Sequence, residues 1–137
     1  MKTTQIIFWL ARIIAAVIMV QTLYFKFTAA EESVELFTQL GAEPWGRIGT
    51  GVLELIAAIL ILVPSTVWIG SLLSVGLMTG AILSHITVIG VLRNDGGQLF
   101  IYALVVFACG LFCFWRSRNQ IPPQLQKLLP LFLQYRD

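Results

Sequence analysis

Charged side chains are scarce in this chain of 137 residues, where they make up 12% of the composition. Soluble domains carry about 25% charged residues, so the scarcity excludes an ordinary soluble domain and is typical of a membrane protein. The net charge of +2 is too small to indicate a nucleic-acid partner. The sequence also lacks P-loop, dinucleotide-binding and Ser–His–Asp patterns, so it indicates none of the enzyme classes that these patterns mark.

Metal ligands and thiols are equally few, because the chain has one histidine and two cysteines. Cys109 and Cys113 are four residues apart in an apolar segment, which is neither a C-x-x-C redox pair nor a zinc-binding spacing. On a helix the two side chains lie on the same face, where we interpret them as small packing residues. The sequence therefore predicts no metal site and no evident cofactor.

Long apolar segments are what the chain does have, and four of them run from Ile6 to Phe25, Trp45 to Val63, Val67 to Leu92 and Gln98 to Trp115. Each is close to the ~20 residues that cross ~30 Å of hydrocarbon. Because hydrocarbon offers the backbone no water, each should be an α-helix. We expect an all-α bundle of four transmembrane helices over residues 1–116, without a cleavable signal peptide, and a cytoplasmic, partly interfacial tail over residues 117–137.

The orientation of this bundle follows from its basic residues, since four spans place both termini on one side of the membrane. Cytoplasmic segments carry the excess of lysine and arginine. The counts are five residues against three, namely Lys2, Arg116, Arg118, Lys127 and Arg136 against Lys26, Arg47 and Arg93. The sequence therefore predicts a multi-pass protein of the cell (inner) membrane with both termini in the cytoplasm.

A short amphipathic helix is predicted between the first two spans, on the extracytoplasmic side. Thr28-Ala-Ala-Glu31 fits a capping box at its start, and Gly41 is a natural stop at its end. The apolar residues recur there at helical spacing and are Val34, Phe37 and Leu40. Three glutamates occupy the opposite face of the helix. Its role is a lid over the helix ends, or alternatively a gate or a partner surface.

Ionisable groups inside the apolar segments are the main pointer to function, because each costs roughly 2.5–3.5 kcal/mol at mid-bilayer and usually marks a site. A rise of ~1.5 Å per residue places Glu54 roughly 12 Å and His85 roughly 10 Å from the outer ends of their spans. We predict a polar cavity in the outer half of the bundle that binds a ligand through five side chains: Gln21, Lys26, Arg47, Glu54 and His85.

Within that set, Glu54 and His85 are the candidates for handling protons, because an unpaired carboxylate and an imidazole both respond to burial. Lys26 and Arg47 attract an anion, or alternatively only reach lipid head groups. Arg12 lies roughly 21 Å inward of Lys26 and is assigned to the inner half, where it contacts lipid phosphate or a backbone carbonyl.

A stripe of small residues occupies one face of the third span, at Gly76, Gly80 and Ser84. Small residues at this spacing let two helix backbones approach closely. We expect this small-residue stripe to pack within the bundle, and a homo-oligomer contact is the alternative.

The pattern of these residues resembles the DoxX-like family of small four-helix membrane proteins, over roughly residues 6–115. The resemblance rests on Arg12 and Lys26, on the Gly41-Ala-Glu-Pro44 loop, on Glu54 within Gly51-Val-Leu-Glu54-Leu, and on Ser84-His85. Leu23 departs from the pattern, since the family commonly has glycine three residues before the lysine. Some members resemble the membrane subunit of thiosulfate:quinone oxidoreductase, and others resemble components or assembly partners of membrane complexes.

Three functions follow as hypotheses. The first is a membrane module that binds a quinone or a sulfur compound, with a membrane redox protein as partner, as an accessory subunit of a quinone-linked oxidoreductase. The second is a non-catalytic assembly or interaction partner of another membrane protein. The third, a pathway for protons or small solutes, is disfavoured because four helices without an inverted repeat leave little room for alternating access.

Overall fold

The computed structural model describes residues 2–92 and 95–134, so Arg93 and Arg136 of the charge comparison lie outside the described residues. Its six α-helices, α1 to α6, are Lys2–Phe27, Glu31–Gln39, Trp45–Leu62, Val67–Ser84, Gln98–Ser117 and Pro123–Gln126. A π-helical turn, His85–Ile89, continues α4, and short 3₁₀ turns cover Pro64–Thr66 and Arg118–Gln120.

Four long helices form the bundle, in which α1 packs on α3, α3 on α4, α4 on α5, and α5 back on α1. Successive long helices run in opposite directions, so one end carries the start of α1, the α3–α4 turn and the end of α5. We call this the termini end. The opposite end carries α2 and the segment between α4 and α5, and we call it the α2 end. The predicted all-α bundle with four apolar spans is confirmed.

Most of the apolar surface of this bundle faces outward. The four helical segments of 26, 18, 26 and 23 residues are long and apolar enough to cross a membrane. At most 33% of the most apolar window of any of them is buried inside the protein. The remaining apolar side chains therefore have lipid as their natural environment.

The interior of the bundle is rich in alanine. Alanines of α1 and α3 fill the centre, and small side chains let helix backbones approach closely where lipid gives no hydrophobic drive between helices. The core comprises Ala11, Ala15, Ala16, Met19, Ala57, Ala58, Ile61, Val67, Met78, Ala103, Val106 and Cys113.

The small-residue stripe does not pack within the bundle, so that prediction is wrong. A Cβ added at Gly76 or Gly80 would meet no other described atom within 4 Å, apart from the helix's own backbone. The buried face of α4 instead carries Gly70, Ser71 and Ser74. The reason is the tight turn after α3, which brings Gly70 against the α3 backbone and so decides which face of α4 points inward. The role of the stripe in a homo-oligomer stays a prediction.

The start of α2 differs from the sequence prediction. Thr28 does not cap this helix, because α1 continues to Phe27 and the Thr28 hydroxyl donates to the Tyr24 carbonyl of α1 at 2.5 Å. No side-chain cap is formed at the first turn of α2, and Phe37 is its buried residue. Gly41, with φ of +69°, follows the helix end as predicted. The extracytoplasmic position of α2 stays a prediction.

The helix α4 is shorter than the third apolar segment. It ends at Ser84, the π-turn runs to Ile89, and Gly90 follows with φ of +90°. Asp95 then caps α5, since its carboxylate accepts from the N–H of Gly97 and of Leu99 at 3.0 Å each. Consequently His85 lies four residues from the end of its helical segment, roughly 6 Å at 1.5 Å per residue, and not roughly 10 Å.

The tail is tied to the bundle where it begins. The Gln120 amide donates to the Pro64 carbonyl at 2.7 Å, and Ile121 is buried. Beyond it, α6 is one turn long and Leu128, Leu131 and Phe132 are exposed. The cytoplasmic, interfacial placement of residues 117–137 stays a prediction.

Candidate functional site

The ends of α1 and α3 approach closely at Gly51. A Cβ added there would lie 2.8 Å from the Phe27 ring and 3.6 Å from Cβ of Lys26. Arg47 lies one helical turn before this glycine and Glu54 one turn after it, so both face α1. Gly51 therefore brings the last turn of α1 within reach of two charged side chains of α3.

Lys26 and Glu54 form an ion pair across this contact. Nζ of Lys26 lies 2.7 Å from Oε2 of Glu54, and the two side chains are 14% and 9% exposed. The Thr22 hydroxyl lies 3.1 Å from the same Oε2 and 3.4 Å from Nζ. The attraction between close opposite charges offsets the cost of withdrawing them from water. The pair therefore holds α1 and α3 together below their α2 end.

Thr22 takes the place that the sequence analysis gave to Gln21. Gln21 is exposed, whereas Thr22 is half-buried and contacts Glu54. The signal was helix periodicity, because Thr22 is four residues before Lys26 and shares its face, whereas Gln21 is five residues before it.

Arg47 is held by its own helix segment and by α1. Its Nε and Nη2 lie 2.9 and 2.8 Å from Oε1 of Glu43, a pair with i,i+4 spacing. Its Nη1 donates to the backbone carbonyl of Lys26. Carbonyls in the last turn of a helix lack an intrahelical partner, so Arg47 caps the end of α1.

Arg12 caps the end of α3 in the same way. Its Nε and Nη2 donate to the carbonyls of Ile61 and Leu62 at 2.7 and 2.6 Å. The guanidinium carbon lies 3.8 Å from the centroid of the Trp9 ring, and Arg12 is 2% exposed. Of the two contacts predicted for Arg12, the backbone carbonyl is confirmed.

The neighbouring carbonyl of α3 is satisfied by a threonine. Pro64 has no N–H, so the Leu60 carbonyl loses the donor that would follow four residues later. The Thr66 hydroxyl donates to this carbonyl at 2.8 Å instead. The carbonyls at the end of α3 are therefore hydrogen-bonded by side chains of the protein, without water.

The two arginines thus form reciprocal caps, because α1 supplies the cap of α3 and α3 supplies the cap of α1. Arg12 and Lys26 are 14 residues apart, and so are Arg47 and Ile61. This spacing corresponds to roughly 21 Å along either axis. A membrane offers no water to unpaired carbonyls, so each cap satisfies groups that would otherwise destabilise the helix end.

His85 lies in a separate environment, between α4 and the start of α5. Its Nδ1 is 2.8 Å from the Ala81 carbonyl, and its ring packs on Phe100 with centroids 5.8 Å apart. A carbonyl only accepts, so Nδ1 donates to it and Nε2 is the free nitrogen of the ring. Within residues 2–92 and 95–134, this buried Nε2 and the Ser71 hydroxyl have no hydrogen-bond partner.

The structure brings Lys26 into contact with both Arg47 and Glu54 but separates His85 from Glu54 along the bundle. Gly70 of α4 lies against Ile61 of α3, so these two residues are at the same level of the bundle. Counted from this level toward the α2 end, His85 is 15 residues away and Glu54 is 7 residues away. The difference of eight residues places His85 roughly 12 Å nearer the α2 end than Glu54. The contacts therefore do not include a direct proton relay between Glu54 and His85.

An open groove of about 670 Å³ lies at the termini end, whereas the polar cavity in the other half of the bundle stays a prediction. Its lining includes Lys2, Trp9, Arg12 and Pro64. In the predicted region, the polar side chains of α1 and α3 contact each other directly.

Four apolar helices, two of which are joined by an ion pair and two carbonyl caps, define a multi-pass helical membrane protein. This chain belongs to the DoxX-like family, whose model matches residues 10–114. The matched range contains Arg12, Lys26, Glu54 and His85, so the resemblance predicted from these residues is confirmed. No curated protein and no solved structure matches the chain.

Proposed function

We propose that this protein binds the polar head group of a small amphipathic ligand at the α2 end of its bundle, as an accessory subunit of a membrane redox system. A quinone is the favoured ligand and a sulfur compound is the second choice. The observation that carries the proposal is the buried Nε2 of His85, which has no partner among the described residues. Buried polar atoms are nearly always bonded, so an acceptor of this kind suits a ligand that donates a hydrogen bond.

The tautomer of His85 favours the reduced form of the ligand. With Nδ1–H donated to Ala81, the neutral ring offers a lone pair at Nε2. A hydroquinone hydroxyl donates to such a lone pair, and a thiol does so more weakly. An oxidised quinone presents carbonyl oxygens only, which require a doubly protonated imidazole. The Phe100 ring beside His85 adds an apolar wall for a flat ligand.

Glu54 and Lys26 support this site from deeper in the bundle. Their charges neutralise each other at 2.7 Å, so we assign them to holding α1 and α3 in register. We assign proton acceptance from the ligand to His85, because it carries the free acceptor atom. Arg47 keeps the end of α1 closed through its bond to the Lys26 carbonyl.

Thermal unfolding of the purified protein in detergent tests the proposal, with decylubiquinol and decylubiquinone as the probes. A ligand at a hundred times its Kd stabilises the folded state by about 2.7 kcal/mol. We expect decylubiquinol to raise the Tm and decylubiquinone to raise it less.

His85→Phe is the test variant, because phenylalanine keeps an aromatic ring beside Phe100 and removes the acceptor. Thr87→Val is the matched control, since Thr87 lies exposed in the same π-turn. The Tm shift should vanish in His85→Phe and persist in Thr87→Val. An equal shift in wild type and His85→Phe, or no shift in either folded protein, contradicts the proposal.

An assembly role is the second candidate. It is favoured by the polar contacts of Arg12, Arg47, Lys26 and Glu54, which lie inside the chain and serve to hold helices together. The exposed glutamates of α2, Glu31 and Glu32, would then meet the partner protein. A Glu31→Lys/Glu32→Lys variant that loses a copurifying membrane protein, together with unresponsive quinol titrations, would favour this role.

A further inference from the structure

The cavity at the termini end differs from the proposed ligand site and lies at the other end of the bundle. It is an open groove of about 670 Å³ on the surface of the bundle. The first three turns of α1, the α3–α4 turn and Gln120 form its walls. We call it the N-terminal groove, and its polar lining is Lys2, Gln5, Arg12 and Gln120.

Arg12 is a buried cation without a counter-ion. Lys26 is paired with Glu54 and Arg47 with Glu43, but in the described part of the chain no carboxylate lies within ion-pair distance of Arg12. Its Nε and Nη2 bond to carbonyls, and Nη1 makes no hydrogen bond to any described residue. Two carbonyls and the Trp9 ring compensate part of this charge, and an anion at the remaining donor, Nη1, would further stabilise the folded protein.

The position of the groove points to lipid as the source of that anion. Trp9, Trp68 and Trp115 all belong to the termini end, and tryptophan is enriched at the level of the lipid head groups. Lys2 adds a second cation at the start of α1, and Ile6 and Leu10 supply exposed apolar surface beside it. Cations beside exposed apolar surface suit an anionic phospholipid, which combines a phosphate with acyl chains.

We propose that the N-terminal groove binds an anionic phospholipid, with the lipid phosphate at Arg12 and Lys2. Carbonyls and the Trp9 ring fix the orientation of the guanidinium. A fixed guanidinium is preorganised for phosphate, which it binds through paired N–H donors. This proposal does not depend on the quinol site, because it involves none of the residues around His85.

Native mass spectrometry of the intact chain tests the proposal, after addition of equal amounts of dioleoylphosphatidylglycerol and dioleoylphosphatidylcholine. Wild type should retain phosphatidylglycerol preferentially. Lys2→Glu reverses a charge at an exposed helix end and should lower this retention at least about fivefold, the effect of about one charge near a membrane surface. Arg116→Glu makes the same charge change on α5, outside the groove, and should lower retention clearly less than Lys2→Glu does.

Three results would overturn the proposal. The first is equal retention of the two lipids by wild type, and the second is the same loss in Arg116→Glu as in Lys2→Glu. The third is a mass spectrum in which wild type carries a neutral quinone or a second copy of the chain instead of the lipid. The quinol proposal is tested separately, by the Tm shift of His85→Phe. Either proposal can therefore fail while the other holds, and the two failures are distinguishable.

Discussion

The Lys26–Glu54 pair gives the sharpest prediction, because substitutions of its two members should lower the free energy of unfolding by different amounts. Removing one partner of a buried ion pair costs about 3–5 kcal/mol, whereas replacing both by apolar residues is often neutral. Lys26→Met leaves Glu54 near the middle of α3 with Thr22 as its neighbour, so we expect a loss of about 3 kcal/mol.

Glu54→Leu should lower the free energy of unfolding less than Lys26→Met does. Lys26 is one residue from the end of α1, so its long side chain can extend toward the head groups once the carboxylate is gone. We expect a loss of about 1–2 kcal/mol for this variant, and less than about 1 kcal/mol for the double variant Lys26→Met/Glu54→Leu. The two losses would then be strongly non-additive, as expected for residues in direct contact.

The assay is reversible unfolding in mixed detergent micelles, followed by far-ultraviolet circular dichroism, on the four members of this double-mutant cycle. Thr79→Val, an exposed position of α4, is the control and should change the free energy of unfolding by less than about 0.5 kcal/mol. Additive losses in the double variant would refute the reasoning, because they would mean that the two side chains do not stabilise each other.

Three further predictions use the same unfolding measurement. Gly51→Leu should cost about 1–3 kcal/mol because it forces the end of α1 away. A Cβ added at Gly49 meets no other described atom within 4 Å, so Gly49→Leu should have little effect. Arg12→Leu should cost about 2–4 kcal/mol because it leaves two carbonyls of α3 without donors. Gly70→Ala should destabilise the protein through a clash with the α3 backbone, whereas Gly76→Ala should be neutral or stabilise it by up to about 1 kcal/mol.

Each of these three predictions has a result that would contradict it. Equal effects of the substitutions at Gly51 and Gly49 would contradict the close contact between α1 and α3. An unchanged free energy in Arg12→Leu would mean that the α3 carbonyls find other donors. A large loss in Gly76→Ala would place the small-residue stripe at a helix contact, such as one between two copies of the chain.

Much of the fold follows from the sequence, because each span needs only local information. Hydrocarbon requires a helix wherever about 20 apolar residues occur together, and Pro64 and Gly41 end helices through their backbone chemistry alone. The positions of Lys26 and Glu54 could also be recognised, since a charge in an apolar segment is visible without any knowledge of packing.

The tertiary structure alone decided which of these groups meet. Helix periodicity gives the face of a residue on its own helix, but contacts across helices depend on the register between them. Gly70 against Ile61 sets that register for α4 and thereby separates His85 from Glu54. Gly51 sets it for α1 and brings Lys26 to Glu54.

The arginines show the same division between sequence and structure. The sequence determined that Arg12 lies in the inner half of the first span and Arg47 near the outer end of the second. It left open whether each meets lipid, a carboxylate or a carbonyl. That choice depends on where the neighbouring helix ends in space, because unpaired carbonyls bind a guanidinium only when the packing of two antiparallel helices brings their ends alongside it.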